Sequence, residues 1–393
     1  MPNANLNEFL LGELSSRAIK KFVLNEPCDV TQLPTPALLL DIDQLAINQK
    51  LMVEAASASG LSLRSHAKMH KCPEVAKFQL AHGSSGICCA KVSEAHIMQH
   101  AGVLDILITS PVQHPSSLDH VVHLARTNPE LKIVLDSEEG ARKLNQRLND
   151  QSLSMTILID IDPGLGRTGI SADDRLLSLF EYIENQCDQL RFGGLQVYAG
   201  HCMHIVDYEN RVAKYQRAMA HGERAKSLLD ERGVPVPVVS GGGTGSYDVE
   251  QRIGLLTELQ AGSYAFMDIE YRDIESATSA TFNTFGIALS LLVTAISQPS
   301  SRSFTVDAGF KSLASDKMVP EFINLEGVRY HWGGDEHGIV ALENPSHTVK
   351  LGDTLRLVTP HCDPTVNLHD YYFVMQAGKV GELWPISARG CSR

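Results

Sequence analysis

Arg64-Ser65-His66-Ala67-Lys68-Met69-His70-Lys71 gathers cationic and imidazole side chains around one lysine, just after an extended segment. Neighbouring cations lower a lysine pKa, and an amine that is neutral part of the time can attack a carbonyl to form a Schiff base. Lys68 is therefore a candidate anchor for a carbonyl-bearing ligand. The competing reading of such an octapeptide is a solvated basic turn.

Four further stretches carry chemistry. Ser240-Gly241-Gly242-Gly243-Thr244-Gly245 follows the strand-like run Val236 to Ser240. Glycines let the backbone approach an oxyanion, successive N–H groups form a nest for phosphate, and Ser and Thr hydroxyls add donors. The stretch is neither a Walker loop nor a G-x-G-x-x-G fingerprint, so a flexible turn is the alternative. Gly262-Ser263-Tyr264, at the next predicted strand end, supplies a second half for such a cradle. In Asp160 to Gly169 a glycine-rich loop carries Arg167, whose guanidinium suits a phenolate or carboxylate of a ligand, or else an ion pair with a nearby Asp. Tyr198-Ala199-Gly200-His201-Cys202-Met203-His204 lies just beyond a strand. Tyr198 can pack beside an aromatic ligand, and His201 or His204 can act as a general base near neutral pH. In His361-Cys362-Asp363, read as extended, residues i and i+2 face one side, so His361 and Asp363 converge on one cation. Imidazole plus carboxylate suits Mn²⁺, Mg²⁺ or Zn²⁺ and leaves positions for substrate oxygens; a surface turn is the alternative.

These pieces need a scaffold that brings strand ends together. Short apolar runs alternate with longer amphipathic segments from about residue 36, with helices predicted near 44–58, 73–82, 93–100, 116–126, 138–147, 174–186 and 208–232. Continuous rather than alternating apolar strands imply a parallel sheet covered on both faces, and a count of about nine is near the eight of a (β/α)8 barrel. After about residue 275, short runs such as Ile287 to Ala295, Arg302 to Val306, Gly338 to Leu342 and Thr354 to Val358 follow one another without long helices, an all-β pattern. The expected organisation is α/β: a TIM-type barrel over 36–272, and a second, all-β domain from 1–35 plus 273–393 that carries the metal pair.

Composition narrows the partner. The chain has 393 residues, 43% of them hydrophobic, and a formal charge of −12. That balance disfavours nucleic acid or an anionic membrane and favours a small molecule. Eight cysteines without C-x-x-C spacing do not make a disulfide framework and fit a reducing cytoplasm. No signal-peptide pattern and no stretch of 18 uncharged apolar residues is visible.

Taken in this order, the five pieces resemble the metal-dependent D-threonine aldolase and D-serine dehydratase family, grouped with alanine racemase among fold-type III pyridoxal-phosphate (PLP) enzymes. The resemblance runs over nearly the whole chain and includes Glu258 to Asp268 and Val306-Asp307-Ala308-Gly309. It implies that Lys68 is the Schiff-base lysine and Arg167 the arginine beside the phenolic oxygen of PLP. It implies a phosphate cradle of Gly242, Gly243 and Thr244 with Gly262 and Ser263, flanked by Tyr198 and Tyr264. Gln260 stands where alanine racemase places an arginine against the pyridine nitrogen, which leaves the protonation of the ring open. His361 and Asp363 match the metal pair, with Mn²⁺ the first choice and Mg²⁺, Co²⁺ or Zn²⁺ the others. In the D-serine dehydratase branch the second ligand is a cysteine, so Asp363 points to the aldolase branch.

The activity implied is cleavage of D-β-hydroxy-α-amino acids to glycine and an aldehyde, with His204, and His201 as second choice, taking the hydroxyl proton. Nearby alternatives are a 3-hydroxy-D-aspartate aldolase releasing glyoxylate and a D-serine or 3-hydroxy-D-aspartate dehydratase. A non-catalytic PLP-homeostasis protein is more remote. The resemblance also implies a homodimer.

Overall fold

Parallel strands close into an eight-membered barrel in the computed structural model, which describes residues 12–393. The strands are Ser62–His66, Gly86–Cys89, Ile106–Ile108, Lys132–Leu135, Met155–Ile161, Leu190–Val197, Val238–Gly241 and Glu258–Leu259. The last closes the ring by pairing with both Ser62–Leu63 and Ser240–Gly241. Their continuous apolar character has two destinations. Cys88, Leu107, Val134 and Leu158 form a small cluster of their own in the barrel, whereas their strand neighbours, such as Ile106 and Ile108, join the large core that includes the helices.

Helix starts follow local chemistry. Pro73 and Pro115 open the first turns of Pro73–Ala81 and Pro115–Ala125, where a missing N–H costs nothing. Ser137 and Asp207 cap Glu138–Asn149 and Tyr208–Asp230 by accepting from the backbone N–H groups of Gly140 and Asn210.

The predicted strand at Ala37–Leu40 forms but lies outside the barrel. Ala37–Asp41 pairs antiparallel with Leu289–Ser300 and parallel with Tyr371–Gln376 in a second, mixed sheet of ten strands. This resolves the count of about nine, and the barrel strands begin at Ser62, so a barrel unit drawn from residue 36 shares its first strand with the neighbouring sheet. Phe22–Asp29 pairs with Lys379–Pro385 in that sheet; residues 1–11 of the expected second domain lie outside the described residues. Among the described residues no helix is long and apolar enough to cross a membrane.

Among the hydrogen bonds that fasten the mixed-sheet unit to the barrel mouth, Tyr372 donates from its hydroxyl to the His70 carbonyl at 2.7 Å and the Cys362 N–H donates to Asp268 at 2.7 Å. Within the mixed-sheet unit the Ala314 N–H donates to the Thr365 hydroxyl at 3.0 Å and ties two of its turns together. Together these bonds hold the turns that carry residues 311–317 and 361–366 against the carboxyl ends of the barrel strands, the face where such barrels bind ligands.

Candidate active site

The basic octapeptide is dispersed rather than concentrated. Arg64 and His66 share one face of strand Ser62–His66 but sit at different depths. The Arg64 guanidinium is buried against Asp105 and Glu258, each at 2.8 Å. Lys71 turns to the buried Glu94 at 3.3 Å, and burial pushes the His70 pKa down to about 3, so that ring is neutral. Only His66 and Lys68 of the octapeptide line the cavity at the strand ends. The expectation that flanking cations depress the lysine is corrected accordingly. Burial does act downward on Lys68, but the Asp363 carboxylate in direct contact outweighs it and holds the pKa above the ordinary lysine value. The same contact draws Asp363 down to about 2 against a burial effect that acts upward.

That cavity has a volume of about 460 Å³, and besides His66 and Lys68 its walls include Thr109, Arg167, Tyr198 and Gln260. The Arg167 guanidinium carbon lies 5.3 Å from the centre of the Tyr198 ring, a cation–π arrangement, and among the described residues it makes no ion pair. Gln260 donates to the Ser240 hydroxyl at 2.9 Å and to the Gln196 side-chain oxygen at 3.2 Å. Gln196 in turn donates to Asp160 at 2.8 Å. Burial raises Asp160 to about 6 in spite of the hydrogen bonds from Gln196 and Thr168. This neutral and weakly acidic floor was not legible beyond Gln260, because Gln196 read as an ordinary strand residue and Asp160 only as the start of the loop that carries Arg167.

The glycine-rich loop and the 262–264 turn meet behind Tyr198 and His66. Gly242 has φ +68°, and a side chain at Gly243 would meet Met203 Sδ at 2.9 Å, with Tyr198 at 3.7 Å. A side chain at Gly262 would lie 3.3 Å from His66. The Thr244 hydroxyl accepts from the Tyr264 N–H at 3.0 Å and joins the two halves. A glycine-walled cradle that any Cβ would fill is the shape a phosphate needs. Tyr264 contributes only its backbone there. Its hydroxyl points into the core, bonded to Gln49 at 2.6 Å and Ser65 at 2.9 Å, so it does not face the cavity.

The metal pair converges, but through a different local geometry from the extended one expected. His361 is the extended residue preceding a one-turn helix, Cys362–Val366, and Asp363 lies in its first turn. His361 Nε2 lies 4.0 Å from Asp363 Oδ2, somewhat beyond the roughly 3.0–3.5 Å between neighbouring ligands of one cation, so the two would close slightly to share one. His361 Nδ1 faces Asp316 at 2.9 Å, which orients the ring in the manner of an outer-shell partner. Glu270 Oε2, buried and without a hydrogen-bond partner, lies 3.8 Å from His361 Nε2. Among the described residues no three such donors already meet round one point, and Lys68 and Lys317 contact the two carboxylates, so His361 and Asp363 are a candidate pair whose remaining positions would go to substrate or water. Asp363 of this pair sits against Lys68 of the same chain.

The two histidines after the strand Leu190–Val197 part company. His201 is exposed on the turn Gly200–Cys202 and is not brought to the cavity. His204 packs on Tyr271, with ring centres 4.3 Å apart, and its Nδ1 lies 3.4 Å from Glu270 Oε1. Burial pulls the His204 pKa down to about 4, although Glu270 acts upward, so the ring is a free base at neutral pH. Lys317 contacts the same Glu270 carboxylate. Glu270, Asp316 and Lys317 went unread because nothing in their local sequence separates them from surface charges.

Residues 40–269 match the alanine racemase N-terminal domain and residues 288–375 a putative serine dehydratase domain. A 3-hydroxy-D-aspartate aldolase of Paracoccus denitrificans (strain Pd 1222) is 37% identical over 365 residues, covering 92% of this chain and 94% of its own. A D-threonine aldolase of an Arthrobacter species is 36% identical over 384 residues, covering 97% and 100%. The chain belongs to the D-threonine aldolase and D-serine dehydratase family. The crystal structure of a D-threonine aldolase from Filomicrobium marinum superposes with a TM-score of 0.89 at 34% identity, covering 95% of this chain and 100% of that one. The family's alanine racemase-like barrel with a separate mixed sheet is thus the fold of this chain.

Proposed function

We propose that the protein is a PLP- and divalent-metal-dependent aldolase that cleaves D-β-hydroxy-α-amino acids of the D-threonine type to glycine and an aldehyde. The observation that carries this reading is the convergence of Lys68, the free base His204, and the pair His361 and Asp363 at one barrel mouth. Its aldolase relatives and the presence of Asp363 where the dehydratase branch carries cysteine support it further.

When bound, PLP supplies an electron sink for the carbanion that Cα–Cβ cleavage leaves, and the cation lowers the pKa of the hydroxyl it binds. Lys68 Nζ would anchor PLP, and Gly242, Gly243, Thr244, Gly262 and Ser263 would hold its phosphate. Arg167, braced on Tyr198, offers donors to an anionic ring oxygen, and Gln260 offers the ring nitrogen a neutral partner. His361 and Asp363 would hold the cation, Mn²⁺ first among the candidates. His204 directs Nδ1 towards Glu270, leaving its Nε2 lone pair to take the substrate hydroxyl proton. His204 is thereby the base in this reading.

A second reading, an aldolase of 3-hydroxy-D-aspartate releasing glyoxylate, is favoured by Lys317, a cation beside His204 where a β-carboxylate would find a partner. Both readings take the protein as a homodimer, the commonest closed assembly, to be checked by sedimentation. All eight cysteines are free thiols, which fits a reducing compartment such as the cytoplasm. The test is product analysis of the protein supplied with PLP and Mn²⁺, offered D-threonine, D-serine and 3-hydroxy-D-aspartate beside their L forms. Glycine and an aldehyde from D substrates only is the expected result; ammonia and a keto acid would move the protein to the dehydratase branch.

A further inference from the structure

Glu258, Ser240, Gln260, Gln196 and Asp160 form a chain of hydrogen bonds beneath the strand-end cavity, and groups that can only accept fix the direction of each bond. Glu258 is paired with the buried Arg64 guanidinium at 2.8 Å, so its carboxylate has no proton to give. The Ser240 hydroxyl therefore donates its one proton to Glu258, at 2.6 Å, and must receive from Gln260 Nε2 at 2.9 Å. On the other side the Gln196 amide reaches the Thr109 backbone carbonyl at 3.1 Å and Asp160 at 2.8 Å. A backbone carbonyl has no proton under any condition, which places the Gln196 nitrogen there whatever the charge on Asp160. Gln196 Oε1 is left to receive from Gln260 Nε2 at 3.2 Å.

These two bonds use both N–H groups of Gln260. Reversing its amide would break both, setting its oxygen against Gln196 Oε1 and against a Ser240 hydroxyl whose proton is already committed. Gln260 Oε1 has no hydrogen-bond partner among the described residues and is not sealed from solvent, so it faces the cavity that the residue lines. A glutamine by type can either donate or accept; held in this network, it can only accept.

We infer, resting on the proposed function in which Gln260 stands opposite the ring nitrogen, that the protein holds this nitrogen of bound PLP protonated, with Gln260 Oε1 as its acceptor. An unprotonated pyridine nitrogen is itself an acceptor, so two lone pairs would face one another, whereas a pyridinium N–H completes the bond. The surrounding charges agree. Asp160 and the Arg64–Glu258 pair lie behind the two amides. Of the basic side chains in the cavity wall, His66 is kept neutral by burial, Lys68 is matched by Asp363, Arg167 is turned to Tyr198, and Lys91 is exposed. An arginine at this place could only donate and would leave the nitrogen unprotonated. The protonated ring is the stronger electron sink for the carbanion that cleavage leaves.

The test is nitrogen-15 NMR of the full-length protein loaded with PLP labelled at the ring nitrogen, without substrate, from pH 6 to pH 9. The resonance should stay at the position of a protonated pyridinium across that range, in which the same cofactor condensed with a simple amine in water is unprotonated. Gln260→Leu should hold the proton at least tenfold more weakly and lose it within the range, while Gln260→Glu should keep it. Gln260→Met replaces the leucine variant if that one does not fold. An unprotonated nitrogen in the parent protein at pH 7, or a proton held equally well by the apolar variant with cofactor bound, overturns the inference. Failure of the parent to take up PLP on Lys68, seen as the missing absorbance of the lysine adduct, would instead remove the proposed function, and this inference with it.

Discussion

Glu270→Gln keeps the shape of a buried side chain and removes the one anion that faces the proposed base. As His204 takes the hydroxyl proton it becomes an imidazolium, with its Nδ1 3.4 Å from Glu270 Oε1. A full charge pair at that separation, in an effective dielectric of about 20, interacts by roughly 5 kcal/mol. Lys317 contacts the same carboxylate and offsets about half of this, leaving about 2–3 kcal/mol of transition-state stabilisation. The expected loss in kcat is therefore about 30-fold to 150-fold, with KM for the D substrate nearly unchanged because His204 itself is neutral in the ground state. Steady-state glycine release over a substrate series measures both constants, and the absorbance of bound PLP and the thermal midpoint serve as controls for folding. A kcat within about threefold of the parent, with those controls intact, would remove Glu270 from the mechanism. If His204→Gln were equally harmless, the base itself would have to be sought elsewhere.

Three other outcomes follow from the same geometry. His361→Ala and Asp363→Asn should each abolish turnover and weaken Mn²⁺ binding while the bound-cofactor spectrum persists; full activity in either variant refutes the metal pair. Lys317→Met should lower kcat/KM for 3-hydroxy-D-aspartate by on the order of tenfold and leave D-threonine nearly unaffected, since one half-exposed cation contributes about 1 kcal/mol to a carboxylate. A uniform loss on both substrates would place Lys317 in the support of Glu270 instead. His70 has a folded pKa of about 3, below the ordinary 6.5, so the unfolded chain binds the extra proton first. Its contribution to stability is complete above pH 6.5 and is lost as pH falls towards 3, about 2 kcal/mol of it by pH 5. Urea unfolding at pH 7 and pH 5 should show that drop, and it should shrink in His70→Gln.

Wherever a local rule sufficed, the sequence was legible. The strand runs reflect burial on both faces of a barrel wall, and the helix starts at Pro73, Pro115, Ser137 and Asp207 reflect capping chemistry that acts within a few residues. The mixed sheet after residue 289 could likewise be read from its turns. Ala37–Asp41 could not be assigned, because a short apolar strand looks the same whether its partners are barrel strands or Leu289–Ser300. The glycines at 242, 243 and 262 announced a close backbone approach, yet only the fold showed that Tyr264 turns its hydroxyl away from it.

The charged groups divide in the same way. Residue type and spacing singled out Lys68, Arg167, His204, His361 and Asp363 as candidates, because Schiff-base, anion-binding, proton-transfer and metal chemistry each require a particular functional group. Their electrostatic condition belonged to the tertiary structure. Arg64 is neutralised at the far end of the barrel, Lys71 turns to Glu94, and Asp363, 295 residues away in sequence, determines the charge on Lys68. Glu270, Asp316 and Lys317 join the site only because two turns fold over the barrel mouth. A sequence specifies which groups exist and their local backbone; a pKa or a ligand set depends on distances of a few ångströms, which long-range packing alone creates.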